Sequence, residues 1–275
     1  MRTFSLGGVH PNDNKISKDA KIEDFPIPQI AYISMSQHLG APAEPIVAAG
    51  DKVKVGQLIA NANGFISAPV HSSVSGTVKG IEMIKDLAGN MTKAVVINVE
   101  GDEWVDTIDR TPDIKREIEL DAKAIIDRIK ECGVVGLGGA TFPTCVKLSP
   151  PPGKRAEFLI INGAECEPYL TSDYRVLVEM PEQVLIGAAI MMKALGVSKG
   201  FIGIEENKPE AIRIMQEHAV KYNGIEIVPL KKKYPQGGEK QLIDAVVGRR
   251  VPSMGLPIDT GAVVQNVGTA FAVYE

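Results

Sequence analysis

The stretch Gly136–Lys147 has the sequence G-L-G-G-A-T-F-P-T-C-V-K, and its glycines decide how the second half of the chain is interpreted. Glycine has no Cβ and tolerates positive φ. The backbone amides of Gly136, Gly138 and Gly139 can therefore approach an anion closely. The stretch predicts a phosphate-binding loop. The alternative interpretation is a glycine-rich connector that lets two helices pack closely.

A helix predicted to begin near Thr141 would extend this site. Its unpaired amides and partial positive charge attract anions, and Lys147 would lie two turns into it. An exposed helix N-terminus contributes about 0.3–1 kcal/mol toward an anion, whereas each charge-assisted hydrogen bond contributes about 1.5–3 kcal/mol. We therefore expect the loop amides and Lys147 to supply most of the binding energy.

The loop differs from the dinucleotide-binding pattern G-x-G-x-x-G, because Thr141 occupies the last glycine position. That pattern should also follow a strand, whereas the segment before this loop predicts a helix that ends at Gly133. Apolar residues recur in that segment at helical spacing, namely Ala122, Ile125, Ile126, Ile129 and Cys132. The loop is therefore not a Rossmann fingerprint.

The composition of the chain excludes several classes of protein. A chain of 275 residues with 44% hydrophobic residues can form two domains with buried cores. A formal net charge of −4 argues against a general nucleic-acid binder, and no apolar stretch reaches the length of a membrane span. Three cysteines without paired spacing favour a reducing compartment, and four scattered histidines predict no metal site.

Residues 1–111 predict a β-rich module, with short β-branched runs between turn glycines. The pieces G-D-x-V-x-x-G-Q-x-I-A and A-P-V-x-S-x-x-S-G-x-V resemble the biotinyl/lipoyl carrier module, a barrel-sandwich hybrid. Carriers attach their prosthetic group to a lysine at a hairpin tip, and residues 60–65 contain none. We therefore expect a structural role, with a carrier role as a distant alternative. The polar segment 102–111 predicts the linker.

Residues 112–275 predict alternating strands and helices in a β-α-β-α-β order, and hence a parallel sheet. A long apolar helix should end near Gly196, and Asn207 with Glu210 has capping-box spacing before the next helix. Ligands of such sheets bind outside the carboxyl ends of the strands. The predicted strands are Phe158–Ile161, Phe201–Ile204 and Ile225–Leu230.

Polar residues and glycines follow each predicted strand, in segments 162–167, 205–207 and 234–239. Glu205 and its neighbours are more simply solvated strand-end and capping residues. Glu165 and Glu167 would point to opposite sides of an extended segment, so no acid/base pair is predicted. Cys166 between two glutamates is a poor nucleophile, because like charge disfavours its thiolate. The sequence therefore predicts no catalytic side chain.

Four motifs resemble, in order, the flavin- and NADH-binding segments of the NADH-oxidising subunit of respiratory complex I. They are G-L-G-G-A-T-F-P-T-C-V-K-L, I-I-N-G-A-E-C-E-P, Y-P-Q-G-G-E-K-Q-L and V-V-Q-N-V-G-T. The front of the chain resembles the RnfC family of the Rnf electron-transport complex more closely. The motifs there are G-G-V-H-P, S-Q-H-L-G-A-P-A-E-P and S-A-P-V-H-S-S-V-S-G-T-V.

The resemblance implies an FMN-binding subunit that takes a hydride from NADH and passes electrons to iron–sulfur clusters of a membrane ion-translocating complex. It implies a Rossmann-like FMN/NADH-binding domain over residues 112–275. The positions that match NADH contacts are Phe142, Glu167 and Glu239. The positions that match flavin contacts are Gly136, Gly138, Gly139, Lys147, Asn162, Glu165, Tyr234, Gly237, Gln265, Asn266 and Thr269.

The chain also departs from the complex I pattern. An aspartate is replaced by Ala164, the first of two glutamates by Gly238, an adenine-stacking aromatic by Pro150, and an asparagine by Gln265. These changes imply looser flavin binding and weaker dinucleotide stacking. They also support the alternative hypothesis of a cofactor-free scaffold or docking subunit.

The resemblance further implies that the chain is a fragment. In the family, a small domain and a ferredoxin-like domain with two [4Fe-4S] clusters follow the flavin domain. The implied partners are the other subunits of a membrane-bound Rnf-type complex. The implied location is peripheral, on the cytoplasmic face of the cell membrane.

Overall fold

The structure is a computed structural model that describes residues 1–86 and 89–275. The first part of the chain forms a β module. Its strands, within the described residues, are β1 (Ile30–Ser34), β2 (Glu44–Pro45), β3 (Lys52–Val53), β4 (Leu58–Asn61), β5 (Val70–His71), β6 (Gly76–Lys85) and β7 (Met91–Val99).

The strands of the β module form two small antiparallel sheets, in the orders β1-β7-β6-β3 and β2-β4-β5. β-branched residues dominate the strands, which suits half-buried pleated surfaces. One apolar core lies between the sheets, with Ile97 from the first, Ile59 from the second, and Met35 all fully buried. This packing of two short sheets confirms the predicted barrel-sandwich-hybrid module.

An α/β domain follows. Its helices and strands, in chain order, are α1 (Ala122–Glu131), α2 (Thr144–Lys147), β8 (Phe158–Gly163), α3 (Ser172–Glu179), α4 (Pro181–Leu195), β9 (Gly200–Glu205), α5 (Pro209–Ala219), β10 (Ile225–Leu230), α6 (Glu239–Val247), β11 (Ala262–Asn266) and α7 (Val267–Tyr274). A 3₁₀ turn over Pro257–Thr260 precedes β11.

The α/β domain is built on a parallel sheet with the strand order β10-β9-β8-β11. Successive residues of β8 point to opposite faces. Leu159 and Ile161 pack in the core that includes α4, whereas Ile160 packs in the core that includes α6. The sheet is therefore covered by helices on both faces, as its continuous apolar strands predict. Gly196 ends α4 in a left-handed conformation, as expected.

Two predictions of local structure are wrong. The helix predicted to begin near Thr141 begins at Thr144 instead, and α2 is a single turn that ends with Lys147, so Lys147 does not lie two turns into a helix. The chain before it is extended, because Thr144 N donates to Val134 O at 3.0 Å and a β-bridge joins Val135 to Pro143. A one-turn helix adds little to an anion site. Lys147 and the loop amides remain as its candidate donors.

The predicted capping box at Asn207 and Glu210 is also absent. Helix α5 begins at Pro209 after Lys208, which makes no side-chain cap. The side chain of Asn207 donates instead to Asp13 at 3.1 Å. A tertiary contact therefore replaces the local one.

The N-terminal residues pack on the α/β domain, although they precede the β module. Arg2 and Val9 form β-bridges with Leu230 and Tyr234. The ammonium of Lys15 donates to the carbonyl oxygens of Glu165, Glu167 and Leu170 at 2.6–2.8 Å. The division into residues 1–111 and 112–275 stays a prediction of the sequence.

Among the helices in the described part of the chain, none combines the length and the apolar character that a membrane span requires.

Candidate functional site

The glycine-rich loop is the tip of a hairpin, called here the glycine-rich hairpin (residues 134–144). Its two arms are joined by backbone bonds, including Gly136 N to Phe142 O at 2.9 Å. At the start of the tip, Leu137 N donates to Thr269 Oγ1 at 2.9 Å. Within residues 1–86 and 89–275, the amides of Gly138 and Gly139 make no hydrogen bond of normal geometry. Two backbone donors at the tip are thus available to a ligand.

Gly138 and Gly139 are required for different reasons. A Cβ on Gly138 would lie 2.9 Å from Cβ of Asn266, so the side chain of any other residue would clash there. Gly139 has space around it but a φ of 110°, which residues with a Cβ rarely adopt. Thr141 also has positive φ, at 47°. The backbone conformation of the tip therefore depends mainly on Gly138 and Gly139.

Lys147 lies where the hairpin meets the sheet. Its ammonium donates to Glu239 Oε1 at 2.8 Å and to the carbonyl oxygen of Val264 at 2.9 Å. Both side chains of the ion pair are about one-third exposed, at 31% and 38%. The sequence did not show that Glu239, 92 residues away, would share this lysine. An anion that binds Lys147 must compete with a carboxylate.

A cavity of about 200 Å³ lies beside the hairpin, at the carboxyl ends of β8 and β11. Its lining comes from the hairpin tip, α2, the loop before α6, and the start of α7. Ten of the fourteen predicted site residues line it: Gly136, Gly138, Phe142, Lys147, Asn162, Gly237, Glu239, Gln265, Asn266 and Thr269. The structure thus places residues from four distant motifs around one cavity.

The amide side chains around the cavity differ in their partners. Asn162 donates to the carbonyl oxygen of Gly237 at 2.9 Å, which ties β8 to the loop before α6. Asn266 accepts from Thr269 N at 3.2 Å as the N-cap of α7. By contrast, Nε2 of Gln265 is buried and, among the described residues, has no hydrogen-bond partner. A buried unpaired donor costs about 1–3 kcal/mol, so a ligand that accepts from it would stabilise the site.

The other four predicted residues do not line the cavity. Gly139 lies at the hairpin tip, and Glu167 is exposed. Tyr234 is 38% exposed, and its backbone pairs with Val9.

Glu165, the fourth, is buried, and its carboxylate lies at the N-terminus of α3. It accepts from the backbone amides of Asp173 at 2.8 Å and Tyr174 at 3.2 Å, and Lys208 lies 3.8 Å away. A helix cap and an ion pair therefore explain this carboxylate without a ligand.

Sequence patterns did not indicate Asp173, which contacts Asn266 in the lining of the cavity. Its carboxylate accepts from Nδ2 of Asn266 at 2.6 Å. Burial, and next the charge of Glu165, raise the pKa of Asp173 to about 6. The residue is 93 positions from Asn266, so no local spacing links the two.

Cys166 is not activated. Burial, as the main cause, raises the pKa of its thiol, and the charges of Glu205 and Glu167 act in the same direction. A thiolate at neutral pH is therefore disfavoured at this position.

A parallel sheet with a glycine-rich hairpin and a cavity at its carboxyl edge is typical of nucleotide-binding α/β domains. Residues 129–275 match the model of the Nuo51 FMN-binding domain, and residues 3–102 match the RnfC barrel sandwich hybrid domain. The chain therefore belongs to the Nuo51 FMN-binding domain family, and its N-terminal part is similar to the RnfC barrel sandwich hybrid domain.

Two relatives are similar to the chain over nearly its whole length. The chain is 49% identical to the C subunit of the proton-translocating ferredoxin:NAD(+) oxidoreductase complex of Clostridium ljungdahlii, over 98% of this chain and 58% of that protein. It is 46% identical to the C subunit of the Na(+)-translocating ferredoxin:NAD(+) oxidoreductase complex of Acetobacterium woodii, over 98% of this chain and 60% of that protein. The chain thus spans about three fifths of the length of each.

Among solved structures, the chain resembles one in the crystal structure of an NAD+-reducing [NiFe]-hydrogenase in the H2-reduced state. The TM-score is 0.48 at 28% sequence identity, over 56% of this chain and 30% of that chain.

Proposed function

We propose that this chain binds FMN at the cavity beside the glycine-rich hairpin and uses it to oxidise NADH. The observation that supports this most is the unpaired donors in and beside one cavity: Gly138 and Gln265, whose amide and buried Nε2 are unpaired among the described residues, line it, and the unpaired amide of Gly139 lies next to Gly138 at the hairpin tip. The family membership in an FMN-binding domain supports the same ligand. The role as an electron-transfer subunit follows from both.

The residues present suit the phosphate end of FMN. Backbone amides at the hairpin tip and the ammonium of Lys147 would hold the phosphate, since charge-assisted hydrogen bonds contribute about 1.5–3 kcal/mol each. Gln265, Asn162 and Thr269 would hold the rest of the flavin. When bound, FMN would supply the hydride-accepting ring, and the protein would supply binding, orientation and electrostatics.

NADH is proposed to approach on the side of Phe142 and Glu239, both of which line the cavity. Phe142 offers an apolar face, and Glu239 offers carboxylate oxygens that can accept from ribose hydroxyls. Ligand contacts remain sequence-based hypotheses for the four residues that do not line the cavity, namely Gly139, Glu165, Glu167 and Tyr234. Hydride transfer needs close stacking of two rings and little side-chain chemistry, so no acid/base residue is required.

The wider role is proposed from the relatives, whose names describe subunits of ion-translocating ferredoxin:NAD(+) oxidoreductase complexes. We infer that electrons leave the flavin for two [4Fe-4S] clusters outside this chain. We further infer that the chain docks other subunits at the cytoplasmic face of a membrane, as a peripheral component. A cofactor-free scaffold is the competing function, and the pairing of Lys147 with Glu239 is the observation that favours it.

Titration with FMN separates these functions. Binding should quench flavin fluorescence in a saturable way, and NADH under anaerobic conditions should then bleach the flavin absorbance. A scaffold would show no saturable quenching. Saturable binding without bleaching would leave a flavin-binding protein that does not oxidise NADH.

A further inference from the structure

The tip of the glycine-rich hairpin contacts the β module. The backbone amide of Leu39 donates to the carbonyl oxygen of Thr141 at 3.0 Å. Thr141 has a φ of 47°, a left-handed conformation that a β-branched residue adopts only where its surroundings hold it. This bond therefore helps to hold the tip just after Gly139.

A second contact lies at the entry to the hairpin. A Cβ on Gly133 would come within 2.4 Å of the carbonyl oxygen of Pro69, so the two backbones are in close approach. Gly133 also has a φ of 68° as it ends α1. The β module thus touches the hairpin both before its first arm and at its tip.

The loop that presents the Leu39 amide, called here the His38 loop (residues 37–41), is firmly anchored. His38 is only 7% exposed. Its Nε2 lies 3.0 Å from Ala41 O, 3.0 Å from Ser67 Oγ and 3.1 Å from the amide nitrogen of Ala68. Each of these partners belongs to the β module, so the position of the loop is set within that module.

We propose that the β module positions the phosphate-binding tip. The His38 loop fixes the carbonyl of Thr141 through the Leu39 amide, and this orders the segment that bears the unpaired amides of Gly138 and Gly139. Leu39 and His38 are positioning residues in this mechanism, without ligand contact. The inference rests on the proposed function, since the ligand group concerned is the phosphate of FMN.

Positioning the tip would be a role for the β module, whose residues 60–65 contain no lysine to which a prosthetic group could be attached. The proposal also makes a specific prediction, because only the phosphate end of the flavin meets the tip. FMN should be sensitive to the Leu39 bond, whereas riboflavin, which lacks the phosphate, should not.

The first experiment uses the whole chain with Leu39→Pro, which removes the amide donor, and Leu39→Ala, which keeps it. A single neutral hydrogen bond changes an equilibrium by about 2- to 12-fold. Leu39→Pro should therefore raise the Kd for FMN by about that factor and leave the Kd for riboflavin unchanged. Leu39→Ala should change neither. Equal weakening of FMN and riboflavin, or unchanged FMN binding in Leu39→Pro, would overturn the proposal.

Hydrogen exchange without any ligand provides an independent measurement. The hydrogen-bonded amides of the hairpin, those of Gly136, Leu137 and Thr144, should exchange faster in Leu39→Pro than in Leu39→Ala. If the wild-type chain bound no FMN while this difference appeared, the proposed function would fail and the positioning contact would stand. Unchanged exchange would overturn the positioning contact even if FMN bound.

His38→Phe provides a second route to the same loop, because it keeps an aromatic ring of similar size but removes Nε2. It should raise the FMN Kd and the exchange rate of the same hairpin amides, as Leu39→Pro does. A circular dichroism melt checks that the β module remains folded. A folded His38→Phe chain with wild-type FMN affinity and wild-type exchange would contradict the proposed anchoring.

Discussion

Replacement of Lys147 by alanine tests the candidate phosphate site directly. The ammonium would contribute about 1.5–3 kcal/mol to a phosphate through a charge-assisted hydrogen bond. It must first leave Glu239, and a pair that is 31% and 38% exposed is worth only about 0.2–1 kcal/mol. The net loss on Lys147→Ala is therefore about 0.5–2.8 kcal/mol, which corresponds to about 2- to 110-fold weaker FMN binding.

The assay is a fluorescence titration of the purified chain with FMN and, in parallel, with riboflavin. Lys240→Ala is a matched control, since Lys240 is an exposed lysine next to Glu239 on α6 and does not line the cavity. Riboflavin binding should change little in Lys147→Ala, because no phosphate is present. Unchanged FMN binding, or an equal loss for both flavins, would refute the assignment of Lys147 to the phosphate.

Three further predictions follow from the site. Glu239→Gln should tighten FMN binding by about 1.4- to 5-fold, because a competing carboxylate is removed; unchanged or weaker binding in the same titration would count against that competition. Gly138→Ala should lower both FMN affinity and the melting temperature, since its Cβ would lie 2.9 Å from Asn266 Cβ; wild-type values of both would show that the tip adjusts without cost. The pKa of Asp173 is raised from 3.8 to about 6 in the folded chain, so ionisation of this carboxyl should make the wild type less stable as pH rises from about 4 to 6. Asp173→Asn cannot ionise, and the variant should not show this loss of stability. The difference between the two proteins, followed by urea unfolding, should reach about 3 kcal/mol above pH 6, and parallel pH profiles would contradict the buried position of this carboxyl.

Local sequence patterns predicted much of the fold because their causes are local. Ile225–Leu230 is predicted and observed as the same strand, since an apolar run bounded by turn residues has few other stable states. The end of α4 at Gly196 follows from the left-handed conformation that glycine tolerates. The two sheets of the β module follow from β-branched runs between turns.

The errors in local structure arose where a distant contact overrode the local preference. The start of α2 is displaced from Thr141 to Thr144 because that segment pairs with residues on the other arm of the hairpin. The capping box fails because Asn207 binds Asp13 from the N-terminal segment. Capping patterns describe neighbours in sequence, and they contain no information about such partners.

The sequence by itself determined the β module, the parallel sheet and the glycine-rich loop as the candidate anion site. Those features depend on periodicity and on the backbone freedom of glycine, which act over a few residues. Only the tertiary structure decided that Lys147 is shared by Glu239, that Asp173 supports Asn266, and that Leu39 of the β module holds Thr141. The physical reason is that each of these bonds joins residues about 90 to 100 positions apart, whose approach is set by how sheets and helices pack.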